Sequence, residues 1–312
     1  MNTSFKDAAT QLNSIIDFVR WGASRFNAAK LYFGHGANNA VDEALFLALY
    51  ALHLTPPLAP ELYYAQLTDV EKAAVLSLFQ RRIEERLPVP YLTNEAWFGG
   101  LAFFVDERVL VPRSPIAELI EQRFAPWVDE ECTEHILDLC AGSGCIAIAS
   151  AMAFPWAEID AVDISTEALA VTQINIERHQ MGQQVQAIES DLFSALQGKR
   201  YDLIISNPPY VDAEDMAALP LEFSKEPELG LAAGEDGLDL VLHILAQAAD
   251  YLTPHGVLVV EVGNSDEAVV ERFPEVPFEW LEFERGGHGV FLLQAETLLE
   301  HHKLFQQAAY KA

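Results

Sequence analysis

One tetrapeptide in this sequence, Asn207-Pro208-Pro209-Tyr210, carries groups suited to holding a planar NH₂ group, and it follows the predicted strand 201–206. The Asn207 side-chain oxygen and the Pro208 carbonyl can each accept one hydrogen bond, and proline has no N–H to compete for them. Held at both hydrogens, a nitrogen with a delocalised lone pair could be aimed at an electrophile, while Tyr210 packs flat against the planar group. The alternative is an ordinary turn, because Asn before Pro often opens turns.

A glycine-rich run from Asp138 to Gly144, with the sequence DLCAGSG, joins a predicted strand to a predicted helix. Glycine allows a sharp turn and lets a ligand approach the backbone closely, so the run is a candidate nucleotide site. It lacks the Lys-Ser/Thr ending of a phosphate-binding P-loop and the third glycine of the dinucleotide fingerprint. The alternative is a tight turn without a ligand, since glycine-rich turns between a strand and a helix are common.

Two acidic residues follow the next predicted strands. Asp163 ends the second strand, where a carboxylate can accept hydrogen bonds from both ribose hydroxyls of a nucleoside, and it could also cap the following helix. Asp191 follows the third strand, a position suited to an adenine amino group or to a solvated loop. A glycine turn with these acids could also describe an NAD site. The tetrapeptide after the fourth strand favours transfer to nitrogen instead.

These motifs need a scaffold, and strands alternate with helices from His135 onward. Such alternation predicts a parallel sheet with helices on both faces, in which ligands bind beyond the carboxyl ends of the strands. Every motif above lies at such an end. The predicted strands are 135–140, 159–163, 185–189, 201–206 and 257–262, with a closing hairpin from 278–284 and 289–293, and the predicted helices are 145–154, 166–180 and 238–251.

The N-terminal part of the chain follows a different pattern, with apolar spacing that predicts helices over 5–20, 40–54 and 69–86. The segment 40–54 is apolar almost all round, which predicts a helix buried within a small bundle. Short predicted strands at 97–105 and 108–111 indicate a β-hairpin linker. The segment 115–127 is predicted to be a helix. We therefore expect a helical domain over 1–92, a linker over 93–113 and an α/β domain over 114–312.

Composition limits the functional classes. The chain has 312 residues, 51% of them hydrophobic and 21% charged, which excludes a wholly disordered or collagen-like protein. Its 47 acidic and 19 basic residues give a net charge of −28, which argues against binding of nucleic-acid phosphates and suits a basic partner. Three cysteines lack metal-type spacing, and signal and membrane-spanning patterns are missing, so we expect a cytoplasmic protein without a resident metal.

The segments 138–148 and 207–210 resemble the HemK family of protein glutamine methyltransferases, and 111–113, 226–228 and 234–238 match the same family. The resemblance implies a seven-stranded, Rossmann-like α/β methyltransferase domain that depends on S-adenosylmethionine, behind a helical N-terminal substrate-recognition domain. The tetrapeptide alone is shared with amino-methyltransferases of adenine and cytosine in nucleic acids. The flanking matches therefore carry the assignment.

The resemblance also implies a role for each matching residue. Asp138 would help to hold S-adenosylmethionine, Asp163 would take its ribose, and Asp191 with Leu192 would border the adenine. The sequence departs from the family at Ala117, where an acid is common, and we assign no role to the following Glu118. The methionine part would be lined by Ala141, Gly142, Ser143 and Gly144, and the glutamine amide would be received by Asn207, which also borders the cofactor, with Pro208, Pro209 and Tyr210.

The segment 25–44 resembles the branch of that family that modifies large-subunit ribosomal protein L-three rather than peptide release factors. Tyr32 and His35 within it could equally be ordinary packing or turn residues. The implied reaction moves a methyl group from S-adenosylmethionine to a glutamine side-chain amide nitrogen. An acidic enzyme should attract a basic ribosomal protein and be repelled by ribosomal RNA, so we expect free or partly assembled protein as the substrate.

Three alternatives remain open from the sequence. A release-factor glutamine methyltransferase would share the same site. A DNA adenine methyltransferase shares the tetrapeptide but needs a basic groove, and no basic cluster of that size is present. A non-catalytic cofactor-binding scaffold or a ribosome assembly factor would not need Asn207.

Overall fold

The computed structural model describes residues 3–310, which form two compact units. The first unit comprises residues 3–96 together with Pro220–Lys225, and the second comprises Trp97–Leu219 and residues 226–310. A short segment that follows the Asn207 tetrapeptide in sequence thus belongs to the first unit. The role of the first unit in substrate recognition stays a prediction.

Among the described residues of the first unit, five α-helices pack around a core that contains the fully buried Phe18, Phe26 and Phe79. Ser14 caps the second helix in a reciprocal capping box with Asp17, and this cap divides the single helix predicted over 5–20 into two. The helices are α1 Thr3–Gln11, α2 Ile15–Ala28, α3 Ala40–Ala51, α4 Asp69–Glu84 and α5 Val89–Thr93, with a 3₁₀ helix at Pro60–Tyr64 and another at Leu221–Lys225.

The helix predicted over 40–54 is α3, and it is only partly buried. In α3, Ala44, Leu47 and Ala48 are completely buried, whereas Val41 and Tyr50 are 53% and 42% exposed. Some apolar side chains of this helix are therefore exposed instead of packing in the core.

A two-stranded sheet, β1 Ala96–Phe98 with β2 Leu101–Phe103, precedes a seven-stranded sheet. The order across the large sheet is β5-β4-β3-β6-β7-β9-β8, with β3 to β7 parallel and β9 antiparallel to both neighbours. The predicted Rossmann-like α/β fold is confirmed. The strands are β3 His135–Leu139, β4 Glu158–Asp163, β5 Val185–Glu189, β6 Tyr201–Ser206, β7 Leu252–Glu261, β8 Glu279–Trp280 and β9 Val290–Gln294.

Apolar side chains cover both faces of this sheet, as a parallel sheet requires. Along β6, Leu203 and Ile205 pack into one core cluster and Ile204 into another, because successive side chains of a strand point to opposite faces. The helices of the second unit are α6 Ile116–Glu121, α7 Cys145–Ala153, α8 Thr166–Arg178, α9 Ala213–Ala218, α10 Asp239–Gln247, α11 Asp266–Arg272, α12 Ala295–Glu300 and α13 His302–Ala309.

Two predicted elements around the start of the α/β unit are wrong. No strand forms over 108–111, because the Val111 N–H donates to the Glu226 side chain at 3.1 Å instead of to a neighbouring strand. The helix predicted over 115–127 ends at Glu121, since Arg123 and Phe124 adopt a left-handed backbone with φ of 52° and 54°.

Nowhere in residues 3–310 is a helix both long enough and apolar enough to span a membrane.

Candidate functional site

The strand ends place the predicted motifs side by side. Leu139 of β3 is in register with Val162 of β4 and with Ser206 of β6. The glycine turn, Asp163 and Asn207 each follow directly after one of these three aligned residues. All three therefore lie at the carboxyl edge of the sheet. Ser206 Oγ donates a hydrogen bond to the Leu139 carbonyl at 3.0 Å, which ties two of these ends together.

The turn after β3 has a left-handed backbone at Cys140, Gly142 and Gly144, with φ of 62°, 53° and 76°. A Cβ at Gly144 would lie 2.7 Å from Thr172 Cγ2, so this position also needs glycine for packing. A Cβ at Gly142 would meet nothing within 4 Å, so that side of the turn is open to a ligand. Cys140 has a side chain in the same unfavourable region, and strain of this kind is concentrated at functional sites.

Two side chains of α8 hold the turn from the side. Thr172 Oγ1 donates to the Gly142 carbonyl at 2.7 Å, and Asn175 Nδ2 donates to the Ser143 carbonyl at 2.9 Å. Both carbonyls are thereby satisfied within the protein. The shape of the turn does not depend on a ligand.

Asp163, at the end of β4, joins the glycine turn to the following helix. Its Oδ2 accepts the Gly142 N–H and its Oδ1 accepts the Ser165 N–H, both at 2.9 Å. Burial raises the pKa of Asp163, although these two N–H groups oppose the rise. The cap of α8 comes from Ser165, whose Oγ accepts the Ala168 N–H, so Asp163 is not the capping residue.

Asp138 is a fully buried carboxyl group in β3. Its Oδ2 accepts the Ala147 N–H at 2.9 Å, and its Oδ1 has no hydrogen-bond partner within the described part of the chain. Burial raises the pKa of Asp138 to about 8, with a smaller opposing effect from the Ala147 N–H. An unpaired buried oxygen is unfavourable, so a hydrogen-bond donor or a cation bound at the turn would relieve it. The ammonium group of S-adenosylmethionine is both.

The loop after β5 has one exposed and one buried residue at the positions expected to border the adenine. Asp191 is exposed, but Leu192 is buried and has a left-handed backbone with φ of 45°. Ser190 holds this conformation by donating from Oγ to the Leu192 carbonyl at 2.8 Å. No residue pattern in the sequence marks Cys140 or Leu192 as strained.

The Asn207 side chain is half-buried, and it makes no hydrogen bond to any residue of 3–310. The two prolines behind it are buried, which limits the movement of the loop. A stiff loop therefore presents an unengaged carboxamide at the carboxyl end of β6, where the sequence predicted a group that grips an NH₂.

Tyr210 is held by residues that the sequence analysis did not identify. Its Oη donates to Glu261 Oε1 at 3.0 Å, and Ser114 Oγ donates to Glu261 Oε2 at 2.5 Å. Burial and then the charge of Glu261 raise the pKa of the Tyr210 phenol, so it keeps its proton and remains a donor. One signal could have identified Glu261, because it is an acid within a predicted apolar strand that ends at the ligand edge.

The segments 111–113 and 226–228 also meet near this loop. Arg113 Nη1 lies 2.9 Å from Glu226 Oε1, and Glu226 also accepts the Val111 N–H. Glu118, to which we assigned no role, is buried and accepts the backbone N–H groups of Glu284 and Arg285 at 2.9 and 3.2 Å. It therefore stabilises the loop before Gly286.

In the first unit, Tyr32 and His35 contact the segment Pro220–Lys225. The Tyr32 N–H donates to Glu222 Oε1 at 3.2 Å, and His35, which is buried, packs on Phe223 with ring centroids 4.6 Å apart. Both residues thus have packing roles within this unit.

No group of three or more His, Cys, Asp or Glu side chains in residues 3–310 could hold a metal ion.

Known proteins resemble this chain at two levels. The model of the methyltransferase small domain matches residues 122–224. A solved structure of a methyltransferase from Pyrococcus furiosus is 18% identical with a TM-score of 0.45, over 63% of this chain and 89% of that one. The matching family model indicates a methyltransferase domain over residues 122–224.

Two curated relatives indicate which kind of methyltransferase this chain is. A ribosomal protein uL3 glutamine methyltransferase from Xanthomonas campestris pv. campestris is 51% identical over 94% of this chain and 95% of its own. A protein of the same name from Xylella fastidiosa is 51% identical over 95% and 94%. The chain belongs to the family of ribosomal protein uL3 glutamine methyltransferases.

Proposed function

We propose that this chain moves a methyl group from S-adenosylmethionine to the side-chain amide nitrogen of a glutamine in ribosomal protein uL3, the large-subunit protein L-three. One observation carries the proposal: the half-buried, unengaged carboxamide of Asn207 at the end of β6, beside the strained turn that ends at Gly144. The activity in the names of the two relatives supports the choice of substrate.

The residues at this edge of the sheet fit S-adenosylmethionine. Asp138 would offer its unpaired Oδ1 to the ammonium group, and Asp163 would accept hydrogen bonds from the ribose. Leu192 would border the adenine beside Asp191. When bound, the cofactor supplies a methyl group on positively charged sulfur, an electrophile with a neutral leaving group. The methionine part would be lined by Ala141, Gly142, Ser143 and Gly144.

The amide nitrogen of the substrate glutamine is a poor nucleophile, so the protein must orient it towards the methyl group. Asn207 Oδ1 would accept one amide N–H and the Pro208 carbonyl the other, which aims the nitrogen and favours its pyramidal form. The ring of Tyr210 would pack against the amide plane. No strong base needs to hold the proton beforehand, because the amide N–H becomes acidic only as the N–C bond forms. Water or a backbone oxygen can accept the proton at that stage.

The charge of the chain supports a basic protein substrate. A net charge of −28 would attract a basic ribosomal protein and speed the encounter. The same charge would be repelled by ribosomal RNA. We therefore expect isolated uL3 to be methylated faster than uL3 within the mature large subunit at matched concentration, and comparable rates would contradict this part of the proposal.

Incubation with methyl-labelled S-adenosylmethionine tests the activity. Purified protein is given uL3, a peptide release factor or duplex DNA in separate reactions, and labelled products are digested and mapped by mass spectrometry. We expect one methyl group on a glutamine side chain of uL3 and no label on DNA. Label in the release factor alone would overturn the substrate, and label in none of them would overturn the activity. The Asn207→Ala protein controls for a contaminating enzyme.

A further inference from the structure

Glu261 is a buried acid directly beside the tetrapeptide. Ser206 of β6 is in register with Val260 of β7, so Asn207 and Glu261 occupy adjacent strand ends. The Glu261 side chain is only 4% exposed, and both of its oxygens accept hydrogen bonds from hydroxyl groups. Burying a carboxyl group away from water is energetically unfavourable, so we expect Glu261 to serve a purpose at this position.

The hydroxyl that Glu261 holds on one side belongs to Tyr210. A tyrosine ring can rotate about the bond to its Cβ unless neighbours prevent it. Here Gly263 lies against the ring, because a Cβ at that glycine would be 2.5 Å from Tyr210 Cε2. The hydrogen bond from the phenol to Glu261 fixes the far end of the ring, so the ring cannot swing about its Cα–Cβ bond without breaking that hydrogen bond.

Neighbouring residues also restrain the backbone of Tyr210. Ser265 Oγ donates to the Tyr210 carbonyl at 3.0 Å, and a Cβ at Gly237 would lie 2.4 Å from that carbonyl oxygen. Ser114 occupies the second oxygen of Glu261 and so limits the rotation of its carboxyl group. The phenol, the ring face and the carbonyl are thus each fixed by a different residue.

From this arrangement we infer that Glu261 is a positioning residue for the methyl transfer: it acts through Tyr210, fixing the position of the ring against which the substrate amide packs. The inference rests on the proposed function. Glu261 itself does not touch the substrate amide. It would act neither as the base nor as a ligand of the cofactor, so its removal should disturb the orientation of the amide and leave cofactor binding nearly intact.

Four variants test the inference. Glu261→Ala and Tyr210→Phe each remove the hydrogen bond from a different side, so the test survives if one of them folds poorly. Glu261→Gln restores an acceptor. Asp202→Ala is the matched control, since Asp202 is an acid at the start of β6 that accepts the N–H groups of Glu134 and His135, far from the tetrapeptide. For each, kcat, the KM for uL3, the affinity for S-adenosylmethionine and Tm are measured.

We expect Glu261→Ala and Tyr210→Phe each to lower kcat by roughly 10- to 100-fold, the effect of a misplaced reactant, with cofactor affinity changed by less than about threefold. Glu261→Gln should recover most of the rate, and the double variant should be no slower than the slower single variant by more than about threefold, because both remove one interaction. Asp202→Ala should lower Tm and leave kcat unchanged. Additive losses in the double variant, or unchanged kcat in Glu261→Ala, would overturn the inference.

A second readout separates this inference from the proposed function. With tyrosine ¹³C-labelled at the ζ-carbon, the Tyr210 signal should report the phenol hydrogen bond in the wild type and shift in Glu261→Ala, whatever the enzyme methylates. An unchanged Tyr210 signal in Glu261→Ala would overturn the positioning role alone. A wild type that shows this hydrogen bond but methylates no glutamine would overturn the proposed function.

Discussion

Asp163 Oδ2 lies 2.9 Å from the backbone nitrogen of Gly142 and accepts its hydrogen bond, so the acid that ends β4 directly supports the glycine turn that follows β3. The residue proposed to take the ribose therefore also shapes the segment proposed to hold the methionine part. A change at Asp163 should affect both halves of the cofactor site.

Asp163→Ala should weaken the binding of S-adenosylmethionine by roughly 10- to 100-fold, because hydrogen bonds to a charged group contribute about 1.5–3 kcal/mol. Isothermal titration calorimetry measures the change. Glu158→Ala, at the exposed first residue of the same strand, is the control and should bind normally. A dissociation constant for Asp163→Ala within twofold of the wild type would show that this carboxylate does not hold the cofactor.

Asn207→Ala should lower kcat by about 100-fold or more, since it removes one of two acceptors that orient the amide nitrogen. Its effect on the affinity for S-adenosylmethionine should be much smaller. Steady-state kinetics with uL3 and calorimetry with the cofactor separate the two effects. Gln247→Ala removes a half-buried carboxamide at the end of α10 and should leave kcat unchanged. If the Asn207 variant keeps the wild-type rate, the proposed mechanism fails.

The buried carboxyl group of Asp138 predicts a pH dependence of stability without cofactor. Its pKa rises from the ordinary 3.8 to about 8 in the folded protein. Between these values the folded state holds a proton that the unfolded state has lost, so the contribution of Asp138 to stability falls as pH rises. The free energy of unfolding of Asp138→Asn minus that of the wild type should therefore increase with pH across this window. Urea titrations at several pH values measure it, and a constant difference would contradict the shift.

A buried charge network should stabilise the first unit. Arg82 is 1% exposed and binds Glu43 at 2.7 Å and the Tyr32 carbonyl at 2.8 Å, while Glu222 lies 3.5 Å away. Burial raises the pKa of Glu43 although Arg82 opposes it. Burial also opposes ionisation of Glu222. The Tyr32 N–H and the guanidinium groups of Arg86 and Arg82 outweigh this effect and lower the pKa of Glu222.

Arg82→Met should cost about 3–5 kcal/mol of the free energy of unfolding, because it leaves the buried Glu43 without its ion-pair partner, whereas Glu222 keeps Arg86 at 3.1 Å. The neighbouring Arg81→Met is the control: its ion pair with Glu85 is about half exposed and should contribute less than about 1 kcal/mol. Denaturant unfolding of both variants gives the comparison. Equal losses would indicate that the network does not act as a buried ion pair.

The type and chain order of the strands in the large sheet followed from hydrophobic alternation and turn residues, and the structure confirms them. Local patterns failed where long-range partners intervene. The segment 108–111 has the residues of a strand, but Glu226, more than a hundred positions away, takes the Val111 N–H. Likewise, the apolar spacing over 5–20 concealed the cap at Ser14, because a cap interrupts a helix without changing its periodicity.

Residue type and position along the chain were enough to predict the parallel sheet, the glycine turn with its two acids and the Asn207 tetrapeptide, since period and turn chemistry are local properties. Folding alone decided that Glu261 and Ser114 hold the Tyr210 phenol, that Asp138 keeps an unpaired oxygen, and that Glu222 joins the first unit. These contacts join residues distant in sequence, and their energies depend on burial, which only the packed structure defines.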